Sequence, residues 1–138
     1  MDAISKAIKF LNNISHINSG GCGVAALAMY RFLKKNGLLS KDFKVIFLYS
    51  KCYKFLYDAN TKGGCYGANH IVFKFNGRLY DSEGLFEIEY TDYVYKHPVS
   101  IKKLLIALNS DSWNSSFNRS REIPKIERKL KISLCDIL

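Results

Sequence analysis

Long apolar runs are missing from this sequence, and proline, tryptophan and acidic residues are scarce. Two prolines and a hydrophobic content of 48% exclude a disordered, proline-rich chain. No apolar run reaches the roughly 18 to 20 residues that cross a bilayer, and the N-terminal stretch lacks the continuous apolar core of a signal peptide. We therefore expect a soluble, cytoplasmic protein that folds as a single domain over residues 1–138 and does not contact a membrane.

Cysteine is also scarce, and its spacing is informative. In the absence of a secretory signal, the four cysteines are expected to be free thiols in a reducing compartment: Cys22, Cys52, Cys65 and Cys135. None belongs to a C-x-x-C pair, which disfavours a zinc site built from Cys52, Cys65 and a histidine. We expect neither a metal nor another cofactor.

Basic residues outnumber acidic residues by 21 to 12, which gives a formal net charge of +9. Between residues 102 and 131 the basic side chains are Lys102, Lys103, Arg119, Arg121, Lys125, Arg128, Lys129 and Lys131, against Asp111, Glu122 and Glu127. Such a run indicates either a solvated face or a surface for nucleic acid or an acidic protein partner. No zinc finger, RRM signature or helix-turn-helix pattern supports the nucleic-acid alternative.

The apolar periodicity predicts an α+β domain in which helices come first and last and antiparallel strands lie between them. Helices are predicted for residues 3–13, 23–35 and 100–108 and from Pro124 towards 134, with Asn36-Gly37 ending the second and Ser100 capping the third. Strands are predicted for 43–50, for two runs around Asn76-Gly77 within 70–84, and for 86–95. Residues 51–67 are ambiguous, and His97 is expected in a loop.

The stretch NSGGCGVAALAMYRFL, residues 18–33, places a thiol where a glycine loop becomes a helix with almost no polar face. A helix N-terminus favours a thiolate through its dipole and unpaired N–H groups, which can also bind an oxyanion. Cys22 is therefore a candidate nucleophile, although a small apolar residue at the start of a core helix would give the same pattern. Cys65 has a similar glycine context, but a strand follows it, so the dipole is lacking.

A nucleophilic thiol needs a base, and the chain has three histidines: His16, His70 and His97. His70 opens the clearest strand. If Asn76 and Gly77 form a two-residue turn, the facing pairs are Phe75–Arg78, Phe73–Tyr80, Val72–Asp81 and His70–Glu83. His70, Asp81 and Glu83 then share a face, with Asp81 diagonal to the imidazole and Glu83 as a rival partner.

The opposite face of this hairpin is the more apolar one, since it carries Ile71, Phe73, Phe75 and Tyr80. If that face packs on the buried helix, His70 points away from Cys22. Either the sheet is covered on both sides, or the thiol lies at a sheet edge that His70 overhangs.

Three segments together resemble the papain-like cysteine peptidase superfamily, including its transglutaminase-like relatives: SGGCGVAALAMYRFL, NHIVFKF and GRLYDSEG. The resemblance implies a buried nucleophile helix packed on a small antiparallel sheet, with C-terminal helices, in a small phage- or virus-type member. It assigns Cys22 as nucleophile, His70 as general base and Asp81 as the residue that orients the imidazole. Papain-type enzymes carry a glutamine oxyanion donor shortly before the cysteine, where this chain offers Asn18 and His16.

The expected function is hydrolysis of a peptide, isopeptide or related amide bond in a peptide or protein substrate, through a thioester acyl-enzyme. Two alternatives stay open. With an amine in place of water the same residues would form a transglutaminase-like acyltransferase. Small size, the absent glutamine and the basic C-terminal half also fit a catalytically inactive scaffold that binds nucleic acid or a protein assembly. Trp113 is expected to be a packing residue or an aromatic of the substrate cleft.

Overall fold

A computed structural model describes residues 2–18, 20–64, 67–110 and 116–137. These ranges contain five α-helices and one five-stranded antiparallel sheet, so the class is α+β, as predicted. The helices are α1 (Ala3–Asn12), α2 (Cys22–Lys35), α3 (Lys54–Thr61), α4 (Ile101–Leu108) and α5 (Arg119–Leu130). The strands are β1 (Lys44–Ser50), β2 (His70–Phe75), β3 (Arg78–Asp81), β4 (Gly84–Leu85) and β5 (Tyr93–Val99). The expectations for Cys65, Asp111 and Trp113 concern residues outside the described ranges.

The strand order across the sheet is β4-β3-β2-β1-β5, which makes β1 and β2 the central strands. The predicted β2–β3 turn forms at Asn76-Gly77, where φ is 50° and 79°, as a tight two-residue turn requires. Asp42 holds this turn by accepting the N–H groups of Asn76 and Gly77 at 3.1 and 2.7 Å. A carboxylate far away in the sequence thus fixes a turn that local sequence already favours.

The register of the hairpin follows the prediction only near the turn. Phe73 pairs with Tyr80, and Phe75 pairs with Arg78. The pairing of β2 with β3 ends at Phe73 and Tyr80, and Asp81 pairs with Gly84 of β4 on the other edge of β3. The first residues of β2 therefore extend beyond the part of the strand that pairs with β3.

Helix α2 packs against one face of the sheet, and its composition explains why. Nine of its residues are buried, so almost every side of the helix is covered by protein. Gly23 marks the closest approach: a Cβ at this position would lie 2.8 Å from Leu108 of α4 and 3.0 Å from Ile71 of β2. Ile71 and Phe73 therefore face the main core.

The other face of the sheet is covered as well. Leu48 and Val72 project to the side of His70 and are fully buried. The rings of Phe86, which follows β4, and Tyr93, the first residue of β5, lie against the imidazole of His70. The sheet is therefore covered on both faces, and the thiol of Cys22 interacts with His70 at the end of β2, where that strand begins.

The predicted helix ends are confirmed at two places. Ser100 caps α4 by accepting the N–H of Lys103 at 3.1 Å. Asn36 ends α2, and Gly37 follows with a φ of 68°, the left-handed conformation that glycine adopts without a steric penalty.

The predicted start of the last helix is wrong. Helix α5 begins at Arg119, five residues before Pro124, because the side chain of Asn118 caps it by accepting the N–H of Arg121 at 3.1 Å. Pro124 lies inside the helix. Because proline has no N–H, the hydrogen bond to the backbone carbonyl of Ser120 is missing. The helix ends at Leu130 because Lys131 takes a left-handed conformation with a φ of 56°.

The prediction for residues 86–97 is also wrong in part. A 3₁₀ turn at Ile88–Tyr90 occupies the middle of the predicted strand, and β5 runs from Tyr93 to Val99. His97 is consequently a strand residue paired with Phe47, and not a loop residue. The proline after it is tolerated because β5 is an edge strand, where one side makes no ladder bonds.

The ambiguous segment 51–67 forms a 3₁₀ turn at Lys51–Tyr53 and then α3. Asn60 of α3 is completely buried and donates to the Tyr49 hydroxyl at 2.5 Å, which attaches the helix to β1. Its buried amide is satisfied in this way, as burial of a polar group demands.

Candidate active site

The thiol of Cys22 lies at the start of α2. Cys22 is the first helical residue, and Gly21 is its N-cap. The first intrahelical bond runs from the N–H of Ala25 to the carbonyl of Gly21 at 2.9 Å, so the N–H groups of Cys22, Gly23 and Val24 precede the helical ladder. The first turn carries no acidic side chain that would offset the positive end of the helix dipole.

The glycine before the cysteine is required by a close approach of the backbone. A Cβ at Gly21 would lie 2.7 Å from the carbonyl oxygen of Ile17 and 2.9 Å from the ring of Phe117. Since Ile17 is itself buried, the chain closes tightly on itself just before the thiol. The position of Cys22 is therefore fixed from both sides, by this closed loop and by the buried helix.

His70 is the first residue of β2, and it is held by Asp81. The ring Nε2 lies 2.9 Å from Asp81 Oδ2, and the two side chains are 14% and 8% exposed. The second oxygen of Asp81 accepts the N–H of Glu83 at 2.8 Å. Asp81 thus bonds the imidazole with one oxygen and caps the β3–β4 turn with the other.

The thiol of Cys22 lies close enough to His70 to raise the pKa of its ring. Burial disfavours a charged ring and by itself lowers the pKa of His70. Hydrogen bonds that the ring makes to Asp81 and Cys22, and the negative charges of both groups, outweigh it and raise the pKa from 6.5 to about 9. Because Asp81 occupies Nε2, the ring nitrogen left for the thiol is Nδ1.

Stability should depend on pH through this pair. The pKa of His70 in the folded state, about 9, is above its ordinary value of 6.5, so the stabilisation is complete below pH 6.5 and is lost as the pH rises through 9. We expect Asp81→Asn to reduce the free energy of unfolding by on the order of 2–3 kcal/mol at pH 6 and by much less at pH 10. Urea unfolding at the two pH values measures the difference.

Asp42→Asn is the matched control for this experiment. Asp42 also accepts backbone N–H groups, but its contacts are with Ser40 and the β2–β3 turn. Its substitution should therefore have the same effect at pH 6 and at pH 10. An equal effect of Asp81→Asn at both pH values would contradict the coupling between Asp81 and His70.

Two aromatic side chains that the sequence did not single out enclose the imidazole. The ring of Phe86 lies 5.2 Å from that of His70, and the ring of Tyr93 lies 5.9 Å from it and nearly parallel, at 18°. Burial and then the negative charges of Asp92, Cys22 and Asp81 raise the pKa of Tyr93, so its phenol is within electrostatic reach of the thiol. The sequence signal for these two rings was the aromatic content of residues 86–95, a segment that was predicted to form a strand.

The two candidate oxyanion donors are placed differently. Asn18 donates from Nδ2 to Glu83 Oε1 at 3.1 Å and accepts a hydrogen bond from the hydroxyl of Ser82. Glu83, the rival partner for the imidazole, therefore bonds Asn18. His16 is exposed, with a left-handed φ of 60°. Of the predicted site residues, Cys22, His70 and Asp81 form one hydrogen-bonded group, and Asn18 joins the turn that follows Asp81.

The described ranges contain no cluster of three or more histidine, cysteine or acidic side chains that could bind a metal. None of the helices in the described part of the chain is both long and apolar enough to span a bilayer. Comparisons of the chain with protein-family models, curated proteins and solved structures find no match. Any function must therefore be inferred from the geometry around Cys22.

Proposed function

We propose that the protein is a papain-like thiol hydrolase that cleaves a peptide, isopeptide or related amide bond. The observation that supports this proposal best is the hydrogen-bonded series from Cys22 through His70 to Asp81. A nucleophile bonded to a base, which is in turn oriented by a third group, is the arrangement that activates a thiol. The three residues come from a helix start, a strand start and a tight turn, so rigid elements hold each of them.

The chemistry follows from the two ring nitrogens. In the first step Nδ1 of His70 takes the proton of the thiol, and the sulfur of Cys22 attacks the carbonyl carbon, whose π electrons move to oxygen. With a pKa of about 9, the protonated ring persists at neutral pH and can protonate the leaving amine as the C–N bond breaks. A thioester of Cys22 remains. His70 then deprotonates water, which attacks the thioester and releases a carboxylic acid and the free thiol.

The oxyanion would be stabilised at the N-terminus of α2. The N–H groups of Cys22 and Gly23 precede the helical ladder, and the helix dipole favours negative charge at this point. An amine that replaced water in the last step would make the same site an acyltransferase. Hydrolysis is the primary proposal because the steps up to the thioester are shared and water needs no binding site of its own.

Alkylation of the wild-type protein by iodoacetamide at pH 6.5 tests the proposal. An ordinary thiol, with a pKa of about 8.5, is only about 1% thiolate at this pH. We expect Cys22 to react at least about tenfold faster than Cys52 and Cys135, although Cys22 is buried and the other two are exposed. Mass spectrometry of peptides that separate the cysteines measures all rates in one sample.

A second measurement detects acyl transfer directly. p-Nitrophenyl acetate should acetylate Cys22, and the resulting thioester should be hydrolysed over time. If Cys22 instead reacts more slowly than the two exposed thiols at every pH, the hydrolase proposal fails. The inactive scaffold with a basic C-terminal half would then be the better explanation, and salt-dependent binding to a polyanion would be its test.

A further inference from the structure

A single tight turn contacts both halves of the candidate site. Asp81 pairs with Gly84, and Ser82 and Glu83 form the loop between them. Asp81 holds the imidazole, while Ser82 and Glu83 both bond Asn18, which lies four residues before Cys22. The turn is therefore the physical connection between the base and the loop of the nucleophile.

The hydrogen bonds define how the amide of Asn18 is oriented. The carboxylate of Glu83 can only accept, so it must face the NH₂ group, at 3.1 Å. The hydroxyl of Ser82 then donates to the amide oxygen. Ser82 is 1% exposed, and Asn18 is the acceptor for this buried hydroxyl, so loss of the amide would leave a buried polar group without that partner.

Close backbone packing joins the residue before Asn18 to the residue before Cys22. Gly21 approaches the backbone of Ile17 so closely that a Cβ would lie 2.7 Å from its carbonyl oxygen. Ile17 is 2% exposed and anchored in the core. Ile17 and Gly21, which flank Asn18 in the sequence, are thus in close contact, so Asn18 is held next to the start of α2.

We propose that Asn18 is a positioning residue, which acts through the Asp81–Gly84 turn to hold Cys22 at the correct distance from His70. This inference depends on the proposed thiol chemistry and assigns Asn18 a role other than oxyanion donor. The two roles differ in what they predict for alkylation. Iodoacetamide is attacked at a saturated carbon, no oxyanion forms, and an oxyanion donor contributes nothing to the rate. A positioning residue affects the rate because it sets the contact between the thiol and its base.

The test measures the alkylation rate of Cys22 against pH in Asn18→Ala, Ser82→Ala and the double variant. We expect each single substitution to slow alkylation at pH 6.5 by roughly five- to tenfold and to move the profile to higher pH. The double variant should be no slower than either single variant, since both changes break the same connection. The rates of Cys52 and Cys135 should not change, and thermal melting checks that each variant is folded.

Glu83 provides a milder pair of variants. Glu83→Gln keeps an oxygen that can accept from Asn18 and should retain most of the wild-type rate, whereas Glu83→Ala should not. Asn13→Ala is the control, because Asn13 is an exposed asparagine at the end of α1. If a substitution at Asn18 or Ser82 prevents folding, the comparison of Glu83→Gln with Glu83→Ala tests the positioning role instead.

Each outcome has a distinct meaning. If Asn18→Ala alkylates like the wild type but is acetylated more slowly by p-nitrophenyl acetate, Asn18 is an oxyanion donor and the positioning role is wrong. If both rates are unchanged, Asn18 has neither role. If wild-type Cys22 already reacts like Cys52, the thiol hydrolase proposal fails first, and the positioning role fails with it.

Discussion

Replacing His70 by alanine is expected to slow alkylation of Cys22 at pH 6.5 by roughly ten- to hundredfold. In the proposed mechanism His70 takes the proton of the thiol, and the positive charge of its ring stabilises the sulfur anion. Without the ring, the proposed base and its positive charge are both absent, so the rate should fall towards that of a thiol without a base. Mass spectrometry of the cysteine peptides gives the rate.

The other two histidines are the matched controls. His97 accepts a hydrogen bond from Lys103 at 3.2 Å and lies in β5, and His16 is exposed in the loop before α2. Alanine at either position should leave the alkylation rate of Cys22 within about twofold of the wild type. Asp81→Asn should give an intermediate rate, because the ring stays in place but loses the charge that orients it. Equal rates in His70→Ala and the wild type would remove the base from the proposed mechanism.

Gly21→Ala is expected to destabilise the protein by on the order of 2–4 kcal/mol, the largest effect on folding that we anticipate from a single methyl group. The added Cβ would lie 2.7 Å from the carbonyl oxygen of Ile17 and 2.9 Å from the ring of Phe117. Moving either neighbour should cost free energy, because the Ile17 contact is with backbone atoms and both Ile17 and Phe117 are buried. The φ of Gly21 is −94°, which alanine adopts readily, so the effect isolates the close approach. Urea unfolding at neutral pH measures it.

Gly23→Ala is the control for this substitution. A Cβ at Gly23 would lie 2.8 Å from Leu108 Cδ2 and 3.0 Å from Ile71 Cδ1, which are the ends of flexible side chains. Alanine also favours the helix by up to about 1 kcal/mol over glycine. The net effect at Gly23 should therefore be clearly smaller than at Gly21. Equal effects at the two positions would show that the approach to Ile17 is not rigid.

Features that depend on neighbouring residues were predictable from the sequence. Asn76-Gly77 gives the hairpin because both residues tolerate positive φ, and the register near the turn follows by counting. That count placed Asp81 diagonal to His70, and the two side chains lie 2.9 Å apart. Ser100 likewise signals the start of α4 through its own hydroxyl.

Features that depend on distant residues were not predictable. Asn118 competes with Pro124 as a helix start, and only the observed cap at Arg121 decides between them. His97 resembles a loop residue until β5 is paired with β1, because pairing with Phe47 overrides the local effect of the following proline. Phe86 and Tyr93 reach His70 only because the chain crosses the sheet between β4 and β5.

The same contrast applies to Asn18. Its sequence position, four residues before Cys22, suggested an oxyanion donor. Its observed partners, Ser82 and Glu83, come from a turn more than 60 residues further along the chain. No local pattern indicates such a contact, since loop asparagines most often bond their own backbone.

The separation of the site residues along the chain also bears on the order in which the protein folds. His70 and Asp81 are 11 residues apart and belong to one hairpin with a local turn, and hairpins of this kind form in roughly microseconds. Cys22 belongs to a helix that must dock on the finished sheet, and β5 completes that sheet only after residues as distant as Phe47 and His97 have paired. We therefore expect the base and its carboxylate to meet first and the thiol to join them last. A newly made or partly folded chain would then carry Cys22 as an ordinary thiol, and the enhanced reactivity proposed for it would arise only when folding is complete.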